Sequence, residues 1–182
     1  MNLVQPIREK EKIEEIKNEL LKSGYRDYLL FVAGINLGLR ISDLLRLQVK
    51  DVRNKTHIIL TEQKTAKSKR FLLNTNMKEI FDNYIWNLSD EEYIFKSRQG
   101  SNRPITRMQA YRIVNIAAKQ VGITDQIGTH TLRKTFGFFH YQQFKDVAIL
   151  QYIFNHSAPS VTLRYIGIND DIKDKTIENF VL

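Results

Sequence analysis

The sequence predicts a mainly helical α+β domain with one small antiparallel sheet, and three observations carry that prediction. Apolar residues recur at helical spacing through most of the chain. The exception is a single pair of short β-prone runs, HIIL and RFLL, separated by the polar, lysine-rich TEQKTAKSK, a pattern that reads as one hairpin. The chain has 182 residues, 42% of them hydrophobic, with no repeat, low-complexity tract or long linker, so one domain over residues 1–182 is the economical division. A chain of this size buries about two thirds of the surface that its unfolded form exposes, enough for one core.

Taken in order, Lys10 to Lys22 forms an amphipathic helix with Ile13, Ile16, Leu20 and Leu21 on one face, ended by Gly24. Tyr25 to Asn36 is a more apolar helix, buried on most sides, and Gly38 breaks the chain before Arg40. A short helix from about Ser42 to Leu47 follows, with Ser42 as N-cap and Asp43 in the first turn, where a carboxylate suits the helix dipole. The hairpin occupies Thr56 to Asn74. Helical spacing returns over Met77–Leu88, Thr106–Val121, Thr131–Phe144 and Asp146–Phe154, and Pro159 lies in the first turn of a further segment. KSRQGSNRP is an exposed loop. The tail, residues 171–182, is too short to be stable alone and must dock on something.

Composition removes several functional classes. With no cysteine there are neither disulfides nor thiolate metal sites, and four scattered histidines make a weak case for zinc. The N-terminal stretch is charged from Arg8 onward and has no apolar core, so it is neither a signal peptide nor a membrane anchor. A cytoplasmic protein without metal, cofactor or membrane partner is expected. The net charge of +8 is concentrated in the middle, where Lys64, Lys67, Lys69 and Arg70 crowd one segment and residues 93–119 hold six cations and no acid. Such a stripe fits a polyanion better than a small substrate, the plain alternative being a basic face that serves solubility.

The residues with chemical potential are Arg40, Lys64, His130, Arg133, His156 and Tyr165. His130 and Arg133, three apart on a helix, share a face and can reach one anion, although a surface ion-pair donor has the same pattern. Arg40 follows glycine-punctuated turns of an apolar helix, where a guanidinium is costly to desolvate without an anion; Asp43 and Asp27 are its alternative partners. Tyr165, flanked by Leu163 and Ile166, has the spacing of an ordinary core aromatic.

In combination these residues say more. GLRISDLLRL, the hairpin EQKTAKSKRFLL, THTLRKTF and NHSAPSVTLRYIGI together resemble, in order and spacing, the signature boxes of the tyrosine recombinase or phage integrase family, over essentially the whole chain. The resemblance implies that family's catalytic-domain fold and a site-specific DNA recombinase or integrase acting on duplex DNA without a cofactor. By the same resemblance Arg40 and Arg133 bind the non-bridging oxygens of the scissile phosphate, and Tyr165 attacks phosphorus to give a 3′-phosphotyrosyl link. Lys64 protonates the departing 5′ oxygen, with Lys67 as the rival for that role. His130 handles protons or holds the phosphate, His156 hydrogen-bonds a phosphate oxygen, and Asp43 orients its neighbours. Lys67, Lys69, Arg70, Arg103 and Arg107 are expected as DNA contacts.

Two departures stand out. Where the box before His156 usually ends in glycine, this chain has Asn155, the next-best residue at positive φ. The helical core-binding domain that typically precedes the catalytic domain is not seen, so the sequence is either a fragment or a minimal protein. That motivates two alternatives: a DNA-binding protein of the same fold with reduced catalysis, and a type IB topoisomerase-like activity. In the family the tail packs into a neighbouring protomer; docking on its own domain is the alternative here.

Overall fold

Helix α2 (Tyr25–Leu37) is the axis of the fold. It is apolar almost all round, as the run LLFVAGINL requires, and Leu29, Leu30, Phe31, Val32 and Ala33 are all buried. The structure is a computed structural model describing residues 4–61, 68–168, 177, 178 and 180. Before α2 lies α1 (Lys10–Ser23), and after it come α3 (Ile41–Leu44), the strands β1 (His57–Thr61) and β2 (Ser68–Leu72), then α4 (Thr75–Ile85), α5 (Arg107–Gln120), α6 (Thr129–Phe144), α7 (Val147–Phe154) and α8 (Pro159–Tyr165).

Two large apolar clusters flank α2. One joins it to α3, the hairpin and α4 through Leu44, Leu47, Ile58, Phe71, Met77, Phe81 and Phe95. The other joins it to α1, α5 and α6 through Ile13, Ile16, Leu20, Val114, Ala117 and Leu132. A third, smaller cluster of Leu150, Phe154 and Ile166 binds α7 to α8, with Phe136 of α6 and Tyr165 packed against it. The hairpin is the expected antiparallel pair, in register from His57 opposite Leu72 to Thr61 opposite Ser68. Its tip, with Lys64 and Lys67, lies outside the described residues.

Helix boundaries follow the caps. The side chains of Asn74, Thr106 and Asp146 accept from the backbone N–H groups of Met77, Gln109 and Ile149, which starts α4, α5 and α7. Thr131 Oγ1 accepts from Gly128 N at 3.1 Å, and α6 begins two residues before the periodicity indicated. Ser42 does not cap α3: the helix starts one residue earlier, with Arg40 extended at the cap position, and ends at Leu44. Its apolar residues up to Leu47 are buried in turns that carry no regular helix. Among the described residues no helix is long and apolar enough to cross a membrane.

Candidate active site

Three separate turns converge on one side chain of α6. Gly38, at φ 62°, ends α2 in the left-handed conformation that glycine tolerates, and its turn delivers Arg40. Asn155, at φ 54°, ends α7 in the same conformation and delivers His156, so the substitution for glycine noted in the sequence keeps the turn. Pro159, whose fixed φ and missing N–H suit a first turn, starts the short α8 that presents Tyr165 at its end.

Arg133 ties these turns together. It is only 4% exposed. Its Nη1 donates to Gly38 O and its Nη2 donates to Phe154 O at 3.0 Å. Each of those carbonyls lies two residues before a candidate site residue, Arg40 in one case and His156 in the other. The guanidinium also stacks 4.4 Å above the Phe154 ring and lies close enough to Tyr165 to lower the pKa of its hydroxyl. Its planar fork suits several acceptors at once in a way that a lysine ammonium does not.

His156 and Tyr165 face each other edge to face, with ring centroids 5.0 Å apart. His156 Nδ1 lies 3.0 Å from Oγ1 of the fully buried Thr162, in a hydrogen bond whose direction follows the imidazole tautomer. Burial, followed by the charges of Arg133, Arg40 and Lys69, lowers the His156 pKa to about 4, so the ring is neutral near pH 7. For Tyr165, burial raises the phenol pKa, while the positive charges of Arg133 and Arg40 pull it back. Arg40 is thus close enough to act on both groups.

The remaining expected residues fall into three groups. Asp43 is 3% exposed in the first turn of α3, beside Arg40 in the chain, whereas Asp27 is ion-paired with Arg26 at 2.7 Å. His130 sits exposed in the first turn of α6, one turn before Arg133. Arg70 lies exposed on β2 with Nη2 3.0 Å from His57 Nε2, while Arg103 and Arg107 are exposed before and at the start of α5, outside the Arg133 cluster.

Lys69, expected as a DNA contact, has its ammonium engaged within the chain. It donates to Tyr152 O at 3.0 Å and Ile153 O at 2.8 Å. The last carbonyls of a helix lack helical partners and carry negative potential, so this lysine clamps the hairpin to the end of α7. The sequence reading passed over Thr162, which holds His156, and Lys134, which is 7% exposed with its ammonium 5.2 Å from the Tyr165 ring centroid. For Lys134 the sequence carried one signal, a second cation directly after Arg133 and two residues before the apolar run FGFF.

A mainly helical domain with one hairpin, in which arginine and histidine side chains surround a C-terminal tyrosine, has the fold of tyrosine recombinase catalytic domains. Solved examples agree: a XerA recombinase superposes with a TM-score of 0.77 at 19% identity over 98% of this chain and 65% of that one. A lambda integrase dimer bound to a COC′ core site gives 0.73 at 17% identity over 92% and 49%. The phage integrase family profile matches residues 8–171, and the chain belongs to that family, whose named relatives are integrases and site-specific tyrosine recombinases. It is 53% identical to the Bacillus subtilis protein named "Probable integrase/recombinase YoeC", over 94% of this chain and 93% of that protein. Against a tyrosine recombinase of Pseudothermotoga lettingae it is 30% identical over 90% of its own length, spanning 57% of that relative.

Proposed function

We propose that this chain cleaves and rejoins duplex DNA at a specific site through a covalent link between Tyr165 and a 3′ phosphate. The observation that carries the proposal is the Arg133 junction, which holds the Arg40 turn and the His156 turn at one guanidinium, with the Tyr165 ring packed against His156 and Phe154 beside it. In the reaction, Arg40 and Arg133 hold the non-bridging oxygens of the phosphate and stabilise the charge that grows on them. The Tyr165 oxygen loses its proton to water and bonds to phosphorus as the bond from phosphorus to the 5′ oxygen breaks. The leaving oxygen takes a proton from the hairpin lysine, Lys64 by resemblance. Rejoining is the same displacement in reverse, with a 5′ hydroxyl as the attacker, so bond energy is retained without a nucleotide cofactor.

His156 is suited to its part as a neutral donor. When Thr162 turns its one hydroxyl proton from Ala158 O, 3.5 Å away, to Nδ1 at 3.0 Å, the Nε2–H group is left for a phosphate oxygen. His130, exposed at the mouth of α6, contacts the phosphate or moves a proton at it, and Asp43 orients the Arg40 turn. Exposed Arg70, Arg103 and Arg107 contribute phosphate contacts that position the duplex. The tail packs on a second protomer; the exposure of Ile177 and Phe180 on this chain supports that reading.

The test is to incubate wild type and Tyr165→Phe with a pool of nicked, fragmented DNA from the host and its mobile elements and recover DNA that stays protein-bound in hot detergent. Nicks let the cleaved end diffuse away and trap the adduct. Wild-type adducts mapping to one sequence, absent from Tyr165→Phe at equal DNA affinity, are the expected result. Equal adduct yields from the two proteins would overturn the assignment of the nucleophile.

A further inference from the structure

Two consecutive residues of α6 set their charges against two aromatic rings. Arg133 stacks on Phe154 at 4.4 Å, and Lys134 lies over Tyr165 at 5.2 Å, while the two rings themselves meet edge to face at 5.4 Å. Arg133 has carbonyl acceptors, but Lys134 does not resemble it in this. Among the described residues the Lys134 ammonium forms no hydrogen bond and no ion pair, and the ring is its contact. A lysine that is 7% exposed without a carboxylate is a costly arrangement, and burial lowers its pKa. Packing alone is served more cheaply there by methionine or leucine.

The face of an aromatic ring attracts a cation, and the attraction grows when the ring is electron-rich. A phenolate is such a ring, because its charge spreads from oxygen onto the ring carbons. We infer that Lys134 is a positioning residue whose ammonium, over the Tyr165 face, fixes the ring for attack and stabilises the phenolate that forms on cleavage and departs on rejoining. Arg40 and Arg133 act on the Tyr165 hydroxyl through their charge and His156 packs against the ring at 5.0 Å between centroids, whereas Lys134 is the cation placed over the ring. The inference rests on Tyr165 being the nucleophile, and its test separates the two ideas.

The chain has no cysteine, so Lys134→Cys supplies one thiol. Alkylated in the unfolded chain and refolded, that thiol gives either an aminoethyl side chain, which restores the ammonium at lysine's length, or a propyl side chain of the same shape without charge. Single-turnover adduct formation is measured at neutral pH on the nicked DNA pool, together with DNA affinity and melting temperature. The aminoethyl protein is expected within about threefold of wild type, and the propyl protein about tenfold slower, the equivalent of about 1.4 kcal/mol, at unchanged DNA affinity and undiminished melting temperature. Equal rates for the two alkylated proteins would overturn the role of charge at this position. Absence of any Tyr165-dependent adduct from wild type would instead overturn the proposed function, and this inference with it.

Discussion

Gly137→Ala tests whether the contact between α6 and the end of α8 sets the geometry of the nucleophile. A Cβ at Gly137 would stand 2.6 Å from Ile166 Cγ2 and 2.7 Å from Phe154 Cε2 and Cζ. Carbon atoms pack at about 3.5–4.0 Å, so the helices must separate locally by about 1 Å. Neither neighbour has space to yield, since Ile166 and Phe154 are both fully buried. Ile166 follows Tyr165 directly, and Phe154 precedes His156 by two residues, so the methyl drives both site segments away from the helix that carries Arg133. Overpacking costs about 1–3 kcal/mol, while alanine in a helix interior regains about 1 kcal/mol over glycine. The net loss of about 0–2 kcal/mol lowers the melting temperature by no more than about 8 °C for a chain of this size. Chemistry is far more sensitive, because a misplacement of about 1 Å at a reacting group costs about a hundredfold in rate. Gly137→Ala should therefore fold, bind DNA nearly as wild type does, and form the phosphotyrosyl adduct about a hundredfold more slowly in single turnover. A folded variant with an adduct rate within threefold of wild type would refute the reasoning.

Other consequences are as definite. Lys69→Met removes two charge-assisted hydrogen bonds from the end of α7 and should cost about 1–3 kcal/mol in denaturant unfolding, with faster amide exchange in β2 but not in α5. Because the folded His156 has a pKa near 4 and the unfolded residue an ordinary value of about 6.5, the unfolded chain binds the extra proton between those limits. The His156 contribution to stability is thus fully present above about pH 6.5 and lost as pH falls towards 4, so melting temperature should drop over that window less in His156→Gln than in wild type. Lys64→Ala and Lys67→Ala, assayed on DNA whose departing oxygen is replaced by sulfur, distinguish the general acid: sulfur leaves without protonation, so rescue is expected for Lys64→Ala, and rescue of Lys67→Ala alone would move the role there.

Much of the fold was legible in the chain because it is local. Apolar spacing gave the helices, and the shift from a period near 3.6 to β-prone runs located the hairpin. Caps moved the boundaries by one or two residues, as for Asn74, whose side chain starts α4 ahead of its apolar stripe. The third helix was misjudged for a related reason. Apolar residues from Leu44 to Leu47 are buried whether or not the backbone is helical, so their pattern could not mark where α3 ends.

The sequence by itself determined which side chains were available for chemistry, their order, and the glycine and asparagine turns that project Arg40 and His156. Tertiary structure alone decided what Arg133 holds. Its acceptors are backbone carbonyls of Gly38 and Phe154, which lie 95 and 21 residues away. Every residue carries a carbonyl, so nothing in the residue types marks those two. The same applies to Lys69 on the end of α7, to Lys134 over Tyr165, and to Gly137 against Ile166. Helical periodicity states which face is buried, but which turn of a distant element meets that face is fixed only when the helices pack.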